Sequence, residues 1–419
     1  MLIIKNRKIL FALATVFVPI IFLSQCINTA PRTDPRGTAY AEEHTCRQCH
    51  QAIYDSALLT AHFNASAAAT LQNVPGHFNT GHNSFIYDSI TRVQIEKRES
   101  GYYQVLYKND IAQESGRFDI GFGFRHAQTW LYWNNDQTYE LPVSYYRAVN
   151  NWGTSPGFSA TIPNFNRLIG VDCFECHSSY ISTKKKAAGD YFSKAGEPEL
   201  LEKSSLVYGI DCQRCHGPAA QHADYHVQHP DIKVAKYIVS KQSLNQQQKL
   251  DACAVCHSGN DKRKLRSRFF FRPGELLADY FLPSLSPDSS RAFDVHGNQF
   301  NLLKQSKCFL GSNSMTCASC HNPHNRSTNG APGAENIAAY SQKCMGCHTE
   351  AAGNFCTVDV VPGLLLQDNC IDCHMPKQSS NAISFQLSGS TDLSAYLLRT
   401  HRIAIYNNLT RRKNESKDH

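Results

Sequence analysis

The sequence has no apolar run that is comfortably long enough to span a membrane. Its longest run, Ile9 to Leu23, has fifteen residues, whereas a membrane-spanning helix needs about twenty. The chain also has no 34-residue helical repeat and no low-complexity domain. The lack of a 34-residue repeat excludes an array of tetratricopeptide repeats, and the lack of a low-complexity domain excludes a compositionally biased scaffold.

The short apolar run is typical of an export signal. Three basic residues precede it within the first eight positions, as in a secretory signal peptide. The run leads into Leu23-Ser24-Gln25-Cys26, which is similar to a bacterial lipobox, although Gln25 stands where a small residue is preferred. We predict a signal peptide at residues 1–25 and a lipid on Cys26; an uncleaved anchor and an ordinary signal peptide are the alternatives. All three place the folded part outside the cytoplasmic membrane, as a periplasmic protein or a membrane-anchored lipoprotein.

Cysteine is abundant, and its spacing carries most of the information in this sequence. Fourteen of the 17 cysteines fall in seven copies of Cys-x-x-Cys-His, numbered here as motifs 1 to 7 in chain order. Two thiols one helical turn apart can form thioether bonds with one porphyrin, and the next histidine then lies under the ring as proximal iron ligand. We therefore predict seven c-type haems. The predicted attachment residues are Cys46, Cys49, Cys173, Cys176, Cys212, Cys215, Cys253, Cys256, Cys317, Cys320, Cys344, Cys347, Cys370 and Cys373. The predicted proximal iron ligands are His50, His177, His216, His257, His321, His348 and His374.

Zinc sites and disulfides also use paired cysteines. A zinc ribbon needs a second cysteine pair but no histidine directly after each pair, and a disulfide framework needs no histidine at all. The fixed histidine therefore favours haem. Beyond the motifs and Cys26, Cys308 and Cys356 remain. They either form a disulfide in an oxidising compartment or stay separate thiols.

The formal net charge of +7 does not indicate a nucleic-acid partner. Loss of the predicted leader removes three of the 42 basic residues and leaves a net charge of +4. The two propionates of each haem, partly offset by the ferric centres, then make the loaded protein acidic to near neutral. We expect no nucleic-acid binding.

The spacing of the motifs divides the chain. Motif 1 stands alone, about 120 residues without cysteine follow, and the other six motifs lie within 202 residues. We predict a first haem segment at 26–83, a strand-containing aromatic insert at 84–165, and a six-haem cytochrome region at 166–419. The predicted fold is mainly α with little regular structure, organised around the haem array, which takes the place of an ordinary core.

Local patterns add several elements. Largely alternating polarity at 93–97 and 103–107, on either side of a turn ending at Gly101, predicts a β-hairpin. Helical periodicity around the motifs predicts short helices. Examples are Arg47 to Leu71, Ser243 to Cys256, Ala334 to Cys347 and Thr391 to Arg399.

The histidines outside the motifs are candidates for the second, distal iron ligand. Ten are placed to serve: His62, His77, His82, His126, His222, His226, His229, His296, His324 and His401. His62 follows His50 by twelve residues, about 18 Å along a continuous helix, so it cannot close on its own haem while that helix continues. His324 follows His321 by only three residues. Both histidines are therefore expected to ligate neighbouring haems.

Some segments resemble the cytochrome c-554 and hydroxylamine oxidoreductase superfamily of multihaem cytochromes. These are CHGPAAQH at 215–222, CHNPH at 320–324, and motif 1 followed by Thr60-Ala61-His62. In that superfamily the last histidine of the CHGPxxxH element and the histidine after the first motif are distal haem ligands. The resemblance therefore implies His222 and His62 as distal ligands.

A second resemblance covers nearly the whole mature chain. A group of bacterial multihaem proteins with a doubled CXXCH arrangement shares five segments with it. These are LPVSYY at 141–146, NWGTSPGF at 151–158, FRPGE at 271–275, CHMP at 373–376 and THRI at 400–403. This resemblance implies His126, His324 and His401 as distal ligands, followed by His82.

Two catalytic signatures of these groups are missing. Pentahaem nitrite reductases bind their catalytic haem through Cys-x-x-Cys-Lys, but every motif here ends in histidine. Hydroxylamine oxidoreductases have eight haems and a cross-linked tyrosine, which nothing in this sequence identifies. We therefore expect an electron carrier of the bacterial envelope with mostly bis-histidine haems. Its expected partners are other cytochromes or a quinol-linked complex. The alternative is an oxidoreductase acting on a small nitrogen or sulfur compound, such as nitrite or hydroxylamine, at one five-coordinate haem.

Overall fold

The computed structural model describes residues 33–76, 78–79, 81–124, 126–184, 199–259, 262–282, 293–325, 336–356 and 368–406. The predicted signal peptide, Cys26 and His77 lie outside these residues. Within them, no helix is long and apolar enough to cross a membrane.

The mainly α prediction is wrong. Of the described residues, 24% are helical and 27% are in strands, which form several antiparallel sheets. The helices are short, because most of them are little more than the turn that each cysteine motif requires. They are α1 Arg47–Ala57, α2 Val171–His177, α3 Cys212–His216, α4 Ala220–Gln228, α5 Gln246–His257, α6 Gln299–Leu303, α7 Lys307–Leu310, α8 Ile337–Met345 and α9 Ile371–His374. Four 3₁₀ turns lie at Lys241–Ser243, Arg268–Phe270, Leu277–Asp279 and Cys317–Ser319.

Fifteen strands are found in the described part of the chain. They are β1 Ser66–Ala68, β2 Ser84–Ile86, β3 Thr91–Arg98, β4 Gly101–Lys108, β5 Ile111–Arg117, β6 Ile120–Phe122, β7 Ala127–Asn134, β8 Gln137–Glu140, β9 Val143–Tyr146, β10 Asn151–Thr154, β11 Arg167–Ile169, β12 Ser178–Thr183, β13 Leu201–Tyr208, β14 Lys377–Phe385 and β15 Ser394–Arg399. One sheet has the order β1-β6-β7-β8-β11, with β9 paired to β7 and β10 to β9. A second sheet has the order β2-β3-β4-β5, and β12-β13 and β14-β15 are separate hairpins.

The predicted hairpin is confirmed. Strands β3 and β4 pair antiparallel from Thr91 opposite Lys108 to Arg98 opposite Gly101. Val93 and Ile95 are fully buried, whereas their polar neighbours reach the surface. Because successive side chains of a strand point to opposite faces, this alternation places the apolar side chains on the face that packs against the core. Gly101, with φ of +134°, takes a backbone conformation that favours glycine.

Aromatic side chains fill the space between the two larger sheets. Trp130 and Trp152 are almost completely buried there. The ring of Phe118 stacks on that of Trp130 with centroids 4.8 Å apart, and Tyr145 meets Trp152 edge to face at 5.1 Å. The crowded aromatic residues noted in the sequence are therefore packing residues of an ordinary hydrophobic core.

Two helix predictions were wrong in extent or type. The helix expected at Arg47 to Leu71 ends at Ala57 and already has non-helical dihedral angles at His50. The segment expected as a helix at Thr391 to Arg399 contains strand β15, which pairs with β14. Tyr396 of β15 is buried in a cluster with Tyr146 and Phe385. Because these contacts come from residues far away in sequence, tertiary packing has overridden the local pattern.

Candidate haem-binding site

Each of the seven motifs forms a helical turn. In motifs 2, 3 and 4 the turn lies in α2, α3 and α5, all of which end at the motif histidine. In the other four motifs the histidine N–H donates to the carbonyl of the first cysteine at 2.9–3.0 Å. This bond joins residues four apart, as in an α-helix, so the two thiols and the imidazole project from one turn. Covalent attachment of a haem needs this arrangement.

Oxygen atoms orient several motif histidines. In three motifs Nδ1 lies 2.9–3.1 Å from an oxygen, which leaves Nε2 available. The pairs are His257 with the Gln299 side chain, His348 with the Asn354 carbonyl, and His374 with the Ala404 carbonyl. Metal-binding histidines are commonly held in this way, because the second nitrogen fixes the tautomer and the ring orientation.

Three motif histidines lie opposite a second imidazole. The ring centroids are 5.8–6.1 Å apart, although the partners are distant in sequence. The pairs are His257 with His62 at 6.1 Å, His216 with His324 at 5.8 Å, and His321 with His401 at 6.1 Å. Metal–imidazole bonds of about 2.0 Å on both sides of one iron would place ring centroids about 6 Å apart. The residues present therefore fit a haem iron with two histidine ligands.

The electrostatics of these rings suit metal ligation. Burial lowers the pKa of His62, His216 and His401 to about 4. At neutral pH the rings are therefore uncharged, and an uncharged imidazole has the lone pair that a metal requires.

The predicted ligand His222 lies on α4, directly after motif 3. Its Nδ1 is 2.7 Å from the carbonyl oxygen of Lys236, which again leaves Nε2 available. The ring of His226, one turn later on the same helix, lies 4.7 Å away. The structure thus brings two of the candidate histidines together on one helix.

The structure places the predicted ligands His126 and His82 beside the sheets. The ring of His126 lies 6.0 Å from that of Tyr396, in the hairpin that follows motif 7. His82 lies in the loop before β2, where its N–H donates to the carbonyl of Asn79.

His296 was only one of the ten sequence candidates, and no resemblance singled it out. Burial lowers the pKa of His177 to about 4, and the charge of His296 contributes in the same direction. The long sequence interval between the two residues explains why spacing gave no signal for this proximity.

Thiols of different motifs lie close together. Four pairs of thiols, from motifs 1 and 3, 2 and 4, 4 and 5, and 6 and 7, are near enough for one thiol to shift the pKa of the other. These pairs are Cys46–Cys212, Cys176–Cys256, Cys253–Cys317 and Cys344–Cys370. Weaker electrostatic proximity also relates Cys215 to Cys253 and Cys320 to Cys344, which connects motif 3 to 4 and motif 5 to 6. All seven motifs therefore form one contiguous set.

The two extra cysteines do not pair. Cys308 and Cys356 are both free thiols. Cys308 influences the pKa of Cys320 in motif 5, whereas Cys356 influences that of Cys373 in motif 7. Among the described residues, no group of three or more histidine, cysteine, aspartate or glutamate side chains is placed to hold a metal ion, as a zinc ribbon would need.

Large apolar side chains lie exposed next to the motifs. Ile53, just after motif 1, is 50% exposed, and Ile405, next to the residue that contacts His374, is 73% exposed. A porphyrin held by these motifs would cover such surfaces.

No protein-family model matches the chain. It is 26% identical over 200 residues to multiheme cytochrome MtrA of Shewanella baltica, an alignment that covers 45% of this chain and 56% of MtrA. It is 22% identical over 277 residues to dissimilatory sulfite reductase MccA of Wolinella succinogenes, covering 59% of this chain and 34% of the reductase. The chain thus spans about half of the first relative and a third of the second.

One solved structure has a similar fold. The outer cell wall cytochrome OcwA superimposes with a TM-score of 0.51 at 14% identity, over 84% of this chain and 79% of OcwA. An undecaheme cytochrome from the S-layer of Carboxydothermus ferrireducens gives a TM-score of 0.30 at 16% identity, over 76% of this chain and 44% of that protein. The relationship to a multihaem cytochrome implies c-type haem for this chain, and the fold that it shares with OcwA is that of a cytochrome.

Proposed function

We propose that this chain is an electron-transfer cytochrome of the bacterial cell envelope that binds seven c-type haems covalently. The observation that carries the proposal is the set of three facing imidazole pairs next to intact attachment motifs. When bound, haem supplies one-electron oxidation and reduction of iron, which protein side chains lack. Two strong axial ligands leave no coordination position for a substrate, which favours electron transfer over catalysis.

We assign the distal ligands from the geometry and the resemblances together. His62 is assigned as the distal ligand of the motif 4 haem, His324 of the motif 3 haem and His401 of the motif 5 haem. His222 serves motif 1, because its helix follows motif 3 and the thiols of motifs 1 and 3 are in contact. His126 is assigned to motif 7, whose hairpin it contacts.

The thiol contacts suggest the order of the array. Motifs 1, 3, 4, 5, 6 and 7 form a continuous series, and motif 2 branches from motif 4. One motif cysteine is exposed in each of motifs 1, 2, 5 and 6, namely Cys49, Cys173, Cys320 and Cys347. Motif 1 is both exposed and at one end of the series, so it is a place where electrons would enter or leave.

The envelope location is part of the proposal. A signal peptide at residues 1–25 and a lipid on Cys26 would hold the protein at a membrane, where another cytochrome or a quinol-linked complex would be its redox partner. The name of OcwA places that structural neighbour in the outer cell wall, which agrees with export.

One observation favours a second function. The chain is similar to a dissimilatory sulfite reductase over 277 residues. The second candidate is therefore reduction of a small sulfur or nitrogen compound, such as sulfite, nitrite or hydroxylamine, at one haem that lacks a distal ligand.

Low-temperature electron paramagnetic resonance of the fully oxidised holoprotein separates these functions. Only low-spin ferric signals are expected for an electron carrier. A high-spin signal near one spin per molecule would instead indicate an open haem and favour the reductase. A haem-to-protein ratio from the pyridine haemochrome spectrum tests the number seven independently.

A further inference from the structure

Motif 2 contains a carboxylate that has no access to solvent. Glu175 lies between Phe174 and Cys176 within the motif, and its side chain is fully buried. Burial of an isolated carboxylate costs several kcal/mol, so such a group needs cations or hydrogen bonds around it.

Three side chains from one segment supply these partners. The Ser267 hydroxyl donates to Oε1 of Glu175 at 2.5 Å, and Nζ of Lys264 lies 3.0 Å from the same oxygen. The guanidinium of Arg268 lies 3.6 Å from Oε2, and its side chain is only 6% exposed. The carboxylate therefore joins motif 2 to the chain segment 264–268.

The main chain of the same residue contacts two further motifs. The carbonyl of Glu175 accepts a hydrogen bond from Nη2 of Arg214, in motif 3, at 3.1 Å. The thiol of Cys256, in motif 4, lies 3.9 Å from the same carbonyl oxygen, and its proximity to Cys176 lowers its pKa. Glu175 thus lies where motifs 2, 3 and 4 meet.

A neighbouring carboxylate shares one of these cations but not this environment. Asp172 also pairs with Lys264, yet its side chain is 72% exposed. Water and salt screen an exposed charge, whereas a buried charge acts on its surroundings through a much lower effective dielectric constant. The two acidic residues are therefore a natural matched pair for testing the effect of burial.

We propose that Glu175 is a positioning residue that also sets the reduction potentials of the haems held by motifs 2 and 4. This rests on the proposed binding of haem to those motifs. A ferric haem carries one more positive charge than a ferrous one, so a buried anion nearby favours the ferric form and lowers the potential. Arg268 and Lys264 remain when that anion is lost, so the net charge beside these haems becomes one unit more positive.

The test is potentiometric titration of the holoprotein, followed by haem absorbance, for wild type, Glu175→Gln and Asp172→Asn. We expect Glu175→Gln to move one or two haems to a more positive potential by at least about tenfold in the reduction equilibrium constant, about 59 mV for one electron. Asp172→Asn should change that constant by less than about twofold, because its charge is screened. Glu175→Asp, which keeps the charge, should restore most of the wild-type potential.

Two outcomes would overturn the proposal. One is a Glu175→Gln protein with normal haem content whose potentials match wild type. The other is an equal shift in Asp172→Asn, which would mean that burial is irrelevant. If Glu175→Gln does not fold, the potentials of Arg268→Gln are measured instead. Loss of this cation must shift the reduction potentials to more negative values. A positive shift or no shift contradicts the proposal.

A failure here is distinguishable from a failure of the proposed function. The haem ratio and the low-spin signals report on haem binding and ligation, whereas the titration reports only on potentials. Unchanged potentials in a fully loaded, low-spin protein would remove the role of Glu175 and leave the electron carrier intact.

Discussion

The imidazoles of His62 and His257 lie next to each other, with 6.1 Å between the ring centroids and 73° between the ring planes. The first residue follows motif 1, whereas the second belongs to motif 4. A histidine near one motif therefore lies close to the predicted iron ligand of another, as expected if distal ligands connect neighbouring haems into one rigid unit. The same relationship joins His324 to motif 3 and His401 to motif 5.

We predict that His62→Ala opens one coordination position. The haem of motif 4 would lose its distal ligand, so one iron per molecule should become high-spin and bind carbon monoxide in the ferrous state. Electron paramagnetic resonance and carbon monoxide difference spectra measure both changes.

His44→Ala is the matched control for this variant. The His44 ring contacts Tyr54 and its side chain is 67% exposed, so the spectra should stay those of wild type. An entirely low-spin spectrum in His62→Ala with full haem content would contradict the assigned ligand.

Gly209 should influence the same haem without touching it. A Cβ at this position would lie 1.9 Å from the carbonyl oxygen of Phe63, and the φ of +61° favours glycine. The next residue, Ile210, donates to the carbonyl of His62 at 2.8 Å. We predict that Gly209→Ala displaces the His62 segment and produces a partial high-spin signal.

Gly389→Ala separates this clash from backbone strain alone. Gly389 has a φ of +76°, but a Cβ there would meet no atom within 4 Å. It should therefore leave the spin state unchanged while costing a similar conformational penalty, about 1 kcal/mol. Equal spin-state changes in the two variants would contradict the positioning role of Gly209.

The parts of the structure that short-range chemistry determines were predictable from sequence. The motif turns follow from the spacing of their cysteines, and the helix expected at Ser243 to Cys256 is found as α5. That helix begins with a capping box in which Asn245 and Gln248 exchange hydrogen bonds, a local signal. The β3–β4 hairpin was likewise visible as alternating polarity.

The remaining features depend on partners that are distant in sequence. The segment of β15 was expected as a helix, but Tyr396 within it packs against Tyr146, which is far away in sequence and gives no local signal. The spacing of the sequence indicated that His62 cannot bind the haem of its own motif while the helix continues. It could not identify His257 as the histidine that lies next to it. Nothing in the sequence indicated a role for Glu175, because the side chains that contact its carboxylate lie in the segment 264–268, which contains no recognisable motif.

Asp211 should be important for stability. It accepts the N–H of Arg214 at the start of α3, and its carboxylate binds the side chain of Arg36, which is only 5% exposed. Asp211→Ala removes a helix cap and one partner of a buried cation, so we expect a loss of about 3 kcal/mol in the free energy of unfolding. Denaturant titration measures this loss.

A substitution of Asp110 is the corresponding control. Asp110 also pairs with an arginine, Arg92, but it is 86% exposed. Asp110 has a φ of +59°, which asparagine tolerates and alanine does not, so the substitution used is Asp110→Asn rather than Asp110→Ala. Exposed ion pairs contribute about 0–1 kcal/mol, so Asp110→Asn should remain close to wild type. Equal losses in Asp110→Asn and Asp211→Ala would show that the burial of Arg36 is unimportant.

Glu140 should make stability depend on pH. Burial raises the pKa of this carboxyl group from 4.5 to about 7, although Arg167 lies 3.3 Å away and acts in the opposite direction. Between about pH 4.5 and 7 the folded chain holds a proton that the unfolded chain has lost, so this group's contribution to stability falls as pH rises. The fall amounts to roughly 3 kcal/mol across that window.

Glu140→Gln cannot lose a proton and should remove this part of the pH dependence. Unfolding free energies measured from pH 4.5 to 8 should therefore fall less steeply for the variant than for wild type. Glu99→Gln, in the exposed turn between β3 and β4, is the control and should follow the wild-type curve. Parallel curves for Glu140→Gln and wild type would mean that Glu140 is already ionised in the folded protein, with Arg167 outweighing its burial.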